Sequence, residues 1–543
     1  MLKNNEHKTI FLDGEHLTLQ DLVKVARDYS MRIQLSSGVK ENMEKSRRWV
    51  EEVQQSGEPV VYGVNTGFGS LAVVPIDKGR TRELQRNLIM SHAAGTGEPL
   101  PIEVVRAAML LRANTLAKGF SGVRPRVVET ILEMLEKRVT PWIPAQGSLG
   151  ASGDLAPLSH MALIMMDNDL PEEFTGKAYW FDPTENHWVL LSGAEAMKKA
   201  GVPRIQLEAK EGLALNNGTQ ISTALLALSC YDAQKLVKMA DIAMTMSLEA
   251  LQGISTAFKA ELHQVRPHPG QVKTARNIRR LMEGSQLVDR DPTRVQDAYS
   301  LRCHPQVLAG VRDTLHYIET VLEVEMNATT DNPIIFPELP DANKAFSGGN
   351  FHAQPIAFAA DFLSIVLCEV GNISERRIFR LSDHHLNNGL PSFLIHNPGL
   401  HNGLMIAQYT AASLVSENKA LAHPASVDSI PSSENQEDHV SMAPVAGRKA
   451  RQILENVQKI LAIELLYAAQ ALDLRLQRLS DIPVESPSAV FGKGTAAAYQ
   501  CIRSYIPYLE EDRPLYQDIE KAVELVRTGT VLQAVEAAVG SLE

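Results

Sequence analysis

The sequence predicts a mainly α fold, a long-helix bundle joined to a smaller N-terminal region of mixed structure. Ile356, Ala359, Leu363, Val366, Val370 and Ile373 recur at alternating spacings of three and four. Leu454, Val457, Leu461, Leu465, Ala468 and Leu472 keep a closely related rhythm. Each stripe lies along one helix face and needs a partner helix to cover it. Glycine-, proline- and asparagine-rich links at 263–300, 327–352, 382–404 and 422–450 separate the long segments. Helices of that length pack as a bundle rather than flank a parallel sheet.

Taken in order, residues 1–207 mix short helical patterns with Gly/Pro punctuation. VVYGVNTGFGS at 60–70 reads as a short strand running into a glycine-rich loop. Between 167 and 192, two β-prone runs flank an Asp-Pro turn and predict a surface hairpin. Residues 208–480 form the long-helix region, and 481–543 a C-terminal helical region. The expected division is therefore 1–207, 208–480 and 481–543.

Composition narrows the function. A net charge of −11 gives no basic patch and argues against a nucleic-acid partner. No run reaches the roughly 18 uninterrupted apolar residues of a spanning helix, so no membrane partner is expected. The opening MLKNNEHKTIFLDGEHL lacks the apolar core of a signal peptide. Cys230, Cys303, Cys368 and Cys501 are widely spaced and form no CxxC pair, as in a reduced cytoplasmic protein. No phosphate loop, dinucleotide fingerprint or His/Cys ligand spacing calls for a nucleotide or a metal.

GSLGASGDLAPLSH at 147–160 crowds small residues into a chain otherwise rich in helix formers. Glycine permits both unusual backbone angles and close approach by another group. This stretch resembles the signature of the aromatic amino acid ammonia-lyases and aminomutases. So do VYGVNTGFG (61–69), EGLALNNGTQ (211–220), VQDAYSLRCHPQV (295–307), TTDNPIIF (329–336), GGNFHAQP (348–355) and SVDSIPSSENQEDHVSMAP (426–444), in family order. The resemblance implies a fumarase/aspartase-like helical core and a homotetramer whose active sites draw loops from three subunits. It also implies that Ala151, Ser152 and Gly153 cyclise to 4-methylideneimidazol-5-one (MIO). The Gly153 nitrogen would reach the Ala151 carbonyl carbon, and the Ser152 hydroxyl would leave as water. The product is an electrophile that no ordinary side chain supplies.

Expelling ammonia from an α-amino acid needs a better leaving group and a base held at the β-carbon. The resemblance implies that Tyr62 is that base. A phenol normally ionises near 10, so nearby donors or positive charge must hold it partly as phenolate. Arg302 resembles the carboxylate-binding arginine, a planar fork that suits a carboxylate two-pronged. Tyr299, three residues earlier, matches the tyrosine beside the departing amine. Asn217 and Gln296 match polar residues near the MIO carbonyl and the substrate carboxylate.

Two positions speak to the substrate side chain. SHAAG places His92 as in histidine-specific members, where phenylalanine-specific ones carry Phe-Leu at positions 91 and 92. Glu437 resembles their imidazole-facing glutamate, and Phe351 then forms an apolar wall. A carboxylate beside a phenyl ring would be a buried unpaired charge, which is costly. L-Histidine is therefore the expected substrate, with urocanate and ammonia as products. The alternative outcome is an aminomutase that returns the amine to the β-carbon and makes β-histidine.

The chain departs from the pattern at Asn216, where members carry an aliphatic residue, and at Glu434, where they carry a small one. Asn216 places an extra amide beside Asn217 and bears on lyase against mutase outcome. A fumarase-type enzyme would need a GSSxMPxKxN loop, which is absent. A non-enzymatic scaffold would have no need of Tyr62, Tyr299, Arg302 and the intact triad.

Overall fold

A computed structural model describes residues 9–479 and 489–543, so the expected boundary at 480/481 lies outside the described residues. The protein is mostly helical. It divides into two compact units: 1–228 with 319–361 and 424–448, and 229–318 with 362–423 and 449–543. These do not follow the sequential division at 207/208. Four of the five divisions fall inside helices Gln220–Ala250, His304–Glu325, Gln354–Ser382 and Ala443–Leu476, and the fifth, 423/424, follows helix Met405–Leu421. Composition shifts mark loops, whereas here the chain mostly changes unit along continuous helices.

The first unit holds all the strands among the described residues. Thr9–Leu12 pairs in parallel with Arg32–Leu35. The expected hairpin is present: Lys177–Asp182 pairs with His187–Ser192 around the Asp-Pro turn, and Val139–Pro141 adds a third strand. The expected strand at 60–70 is absent. Residues 62–65 are turn, and Thr66 makes only an isolated bridge to Pro75. The glycines that suggested a loop after the strand take over the whole segment.

Helix Ile102–Ala117 is the spine of this unit and is buried from Val104 to Ala117. Its two arginines explain how a helix can be buried all round. Arg106 donates to the carbonyl oxygens of Val25 and Leu135, at the ends of helices Leu19–Arg27 and Pro125–Glu136. Arg112 donates to those of Ala214 and Asn217, at the end of Glu211–Asn216. The last carbonyls of a helix have no partner within it, and a guanidinium both satisfies them and suits the negative end of the helix dipole.

The periodic stripes form helices as expected. Leu454, Val457, Leu461, Leu465, Ala468 and Leu472 are all buried. Ile460, Ile463 and Tyr467 are buried too, so this helix is covered on more faces than the stripe implies. The link 263–300 contains a helix, Pro269–Leu281. Pro269 opens it at the first helical position, where its missing N–H costs nothing, so part of a segment read as a link is a helix. Helix Gln354–Ser382 is long and apolar enough to cross a membrane, with mean hydropathy 1.7, yet 67% of that window is buried in the protein. A core helix passes the same test.

Lys210 and Asp331 form an ion pair at 2.7 Å with neither side chain exposed. Removing one partner of such a pair strands the other charge. Lys210→Met is expected to cost about 3–5 kcal/mol in urea unfolding, and Lys210→Met/Asp331→Leu to recover most of it.

Candidate active site

The small-residue loop runs from strand Pro144–Gln146 to helix Leu155–Met165. It is pinned by another backbone. Gly153 bridges Gly218, and the Asp154 N–H donates to the Gly218 carbonyl oxygen at 2.7 Å. Gly153 has φ +74°, and a Cβ there would lie 2.2 Å from that oxygen. A Cβ at Gly150, also left-handed at +70°, would lie 2.3 Å from Ser441 Oγ. Both positions require glycine, one for the approach of Gly218 and one for the approach of Ser441.

Asp154 locks the same junction from below. Its buried carboxylate accepts from Ser222 N at 2.9 Å and Ser222 Oγ at 2.7 Å, in the first turn of helix Gln220–Ala250. Burial pushes this acid up to about 6, against the pull of those hydrogen bonds. Asp154, Gly218 and Arg112 were not singled out in the sequence as site residues. The first two stand beside the triad and beside Asn217, so position alone could have flagged them. Arg112, a hundred residues from Asn217, leaves no local signal.

Above this floor lies a cavity of about 640 Å³, the size of a small-molecule site. Tyr62, His92, Ser152, Asn217 and Glu437 all line it. Glu437 Oε1 accepts from Ser152 Oγ at 2.6 Å, and its Oε2 from Ser432 Oγ at 2.8 Å. Asn217 donates to the Ser152 carbonyl oxygen at 3.4 Å, while its own Oδ1 is buried with no hydrogen-bond partner. The Tyr62 hydroxyl accepts from Gly69 N–H at 2.9 Å. Helix Thr81–His92 ends at His92, whose Nδ1 is 3.0 Å from Ser91 Oγ.

Burial pushes the Tyr62 phenol above its usual value; the Gly69 N–H lowers it and the charge of Glu437 raises it further. The donors expected to hold a phenolate are thus represented here by one N–H. Burial likewise pushes His92 down, opposed by a backbone hydrogen bond and by Glu437. An uncharged His92 is therefore the form that faces this cavity.

The remaining sequence-predicted residues lie elsewhere. Phe351 is half-buried in the first unit and is not part of the cavity lining. Asn216 is buried, and its amide donates to Ser159 Oγ at 3.1 Å rather than facing the cavity. Glu434 is exposed on a turn in which Ser433, Glu434 and Asn435 all have left-handed φ of 50°, 55° and 66°. Gln296 and Arg302 line a separate cavity of about 350 Å³ in the second unit. The Arg302 guanidinium sits 4.5 Å from the centre of the exposed Tyr299 ring, and its Nε donates to the Asp297 carbonyl oxygen at 2.9 Å. Among the described residues, one trio has ligand atoms close enough for a metal ion: Asp383, His384 and His385, consecutive on an exposed segment.

The triad fits a self-condensing Ala-Ser-Gly. Its backbone is bent, its carbonyl is held by an amide, and its hydroxyl faces a cavity. A profile of the aromatic amino acid lyase family matches residues 17–504. The chain belongs to the aromatic amino acid lyase family. Within that family it is 53% identical to a histidine ammonia-lyase of Caldanaerobacter subterraneus, covering 96% of this chain and 97% of the relative. It is 49% identical to a histidine ammonia-lyase of Streptococcus gordonii, covering 98% of each. The crystal structure of a histidine ammonia-lyase from Trypanosoma cruzi matches with a TM-score of 0.87 at 40% identity, covering 98% of this chain and 96% of that one. That of a tyrosine aminomutase from Streptomyces globisporus matches with 0.87 at 37%, covering 99% and 100%.

If the triad condenses as the sequence resemblance implies, Gly153→Ala is expected to block it, and a folded variant should lack both the near-ultraviolet absorbance and the mass deficit of dehydration that the wild type would show. A variant that keeps both would mean that the Gly153–Gly218 approach does not control condensation.

Proposed function

We propose that this aromatic amino acid lyase is a histidine ammonia-lyase, eliminating ammonia from L-histidine to give urocanate. The observation that carries the reading is Glu437 Oε1 at 2.6 Å from Ser152 Oγ, in one cavity with Tyr62 and His92. Curated relatives at about half identity over nearly the full length bear the same activity in their names. MIO, formed from Ala151, Ser152 and Gly153, supplies the electrophile that makes the amine a better leaving group. Asn217 holds the Ser152 carbonyl, and its partnerless Oδ1 is an acceptor kept for the reaction. Once the Ser152 hydroxyl has left as water, Glu437 Oε1 loses that donor. An imidazole N–H of the substrate replaces it, beside an uncharged His92.

Tyr62 removes the β-proton. Arg302 and Gln296 bind the substrate carboxylate, Tyr299 lies beside the departing amine, and Phe351 walls the ring. These last four act within a homotetramer in which each active site draws loops from three subunits. Four free cysteines suit a reduced cytoplasmic setting. The competing aminomutase outcome requires the acrylate to be retained. Asn216, the residue expected to bear on that outcome, donates its amide N–H to Ser159, and its buried Oδ1 has no hydrogen-bond partner.

Incubation with L-histidine, following urocanate by absorbance and β-histidine by chromatography, is expected to yield urocanate and free ammonia. Dominant β-histidine would replace the lyase reading with the mutase one. Consumption of L-tyrosine or L-phenylalanine instead would sink the argument from Glu437. Ser152→Ala should fold and assemble unchanged but lack the prosthetic group and the activity.

The base can be read separately. Only the phenolate of Tyr62 accepts a proton, so kcat/KM should climb with pH as the phenol ionises. Burial keeps the phenol neutral to higher pH than usual, so the climb lies above the ordinary phenol range rather than near neutrality. Tyr62→Phe should lose roughly 10²–10⁴ in kcat and the alkaline climb with it, while the triad still condenses. A near-normal rate would assign the base elsewhere.

A further inference from the structure

Tyr299 and Arg302 occupy a single turn, Tyr299–Arg302, too short to hold its own shape. What fixes it lies beneath. Arg377, fully buried, donates from Nη1 to the Ser300 carbonyl oxygen at 3.2 Å and to His304 Nδ1 at 3.3 Å. A guanidinium has only donors, so Nδ1 must accept and the ring proton sits on Nε2. That nitrogen donates to Asp241 Oδ1 at 3.0 Å. Arg312 and Asn277 hold the other oxygen of Asp241 at 2.6 and 2.9 Å. Arg377 also forks onto Glu464, at 2.5 Å from Nε and 2.8 Å from Nη2, and Ser247 and Ser374 complete that carboxylate. His304, Asp241, Arg377 and Glu464 are all 0% exposed.

A network like this often serves only to hold helices together, but well-packed apolar residues do that at least as well. Two details single this one out. Arg377 directs a donor to a carbonyl of the turn itself. His304 opens helix His304–Glu325, with only Cys303 between it and the turn, so both the turn and the helix after it are tied to one guanidinium. Burial pushes His304 below its ordinary value against the pull of Asp241, and a neutral ring keeps its acceptor toward Arg377.

We propose that His304 and Arg377 are positioning residues that clamp the Tyr299–Arg302 turn and so aim Arg302 at the substrate carboxylate. This rests on the assignment of Arg302 and Tyr299 to substrate. Removing Arg377 would strand Glu464 in the core, so His304 carries the test. His304→Gln keeps a donor toward Asp241 and leaves Arg377 without its acceptor. His304→Asn keeps an acceptor near the Nδ1 position.

In His304→Gln, amide hydrogen exchange across 299–302 should quicken roughly tenfold, a loss of the size expected for one coupled contact. Exchange deep in the His304–Glu325 helix should stay unchanged. KM for L-histidine should rise by a similar factor with kcat nearly constant. Inhibition by urocanate, which carries a carboxylate, should weaken, while inhibition by imidazole should not. His304→Asn should fall between the wild type and His304→Gln. Unchanged exchange at 299–302, or equal weakening by urocanate and imidazole, would overturn the proposal. If the wild type does not consume L-histidine, the substrate reading fails, and exchange still decides the clamp.

Discussion

The contact on which the first unit depends is between two backbones, where Gly153 lies against Gly218. A Cβ on Gly153 would strike the Gly218 carbonyl oxygen, and one on Gly218 would lie 2.3 Å from Arg112 Nη1. No side chain fits on either strand of this crossing. The crossing sets the triad beside Asn217, since Asn217 is the residue before Gly218. It also puts Asp154 within reach of the first turn of the following helix. Arg112 closes the arrangement from the opposite side through the Asn217 carbonyl oxygen at 2.8 Å. A loop bent by local glycines alone would be mobile; this one is bent and then held on three sides.

Buried arginine recurs as the means of ending helices inside the protein. Arg106 and Arg112 do this in the first unit. In the second, Arg475 donates to the Ala250 carbonyl oxygen, the last residue of helix Gln220–Ala250, and to those of Asn387 and Asn388. Burial pushes each of the three down to about 10, still charged near neutrality. Glycine or solvent usually finishes a helix at the surface. Within a large core neither is at hand, and a guanidinium offers several donors in a fixed plane. The cost of desolvating the charge is offset by carbonyls that would otherwise be orphaned.

Much of this was legible in sequence because it is written in contiguous residues. The triad, the Tyr62 loop, Asn217 and Glu437 each sit in a short motif, and the structure brings them to one cavity. The 177–192 hairpin was legible from its turn, and the long helices from their period. What escaped depends on pairs far apart in the chain. Arg112 with Asn217, Lys210 with Asp331, and Arg377 with Ser300 leave no spacing to read. The interleaved units escaped for a related reason: continuous helices carry no composition shift where the chain changes unit. The link at 263–300 hid the helix that Pro269 opens, since a proline marks a helix start as readily as a loop.

Glu437 gives the cavity its chemical bias. Its carboxylate is held by Ser432 on one oxygen and by Ser152 on the other, and the two other titratable groups lining the cavity, Tyr62 and His92, are pushed by burial toward their uncharged forms. The negative charge therefore has hydrogen bonds but no cation among these groups. With the Ser152 hydroxyl lost, as proposed, a ligand that brings an N–H donor, or a positive charge, would take that donor's place. A phenyl ring brings neither, and leaves that carboxylate oxygen facing carbon without a donor, which is costly. A phenol could donate one hydrogen bond, but its hydroxyl projects from the ring, whereas an imidazole N–H lies in its edge. The same carboxylate that raises Tyr62 also favours a protonated imidazole in the substrate. On the proposed assignment of Tyr62 as base and Glu437 as the imidazole's partner, selectivity and base strength are coupled through one residue, and removing its charge would relax selectivity while easing the ionisation of Tyr62.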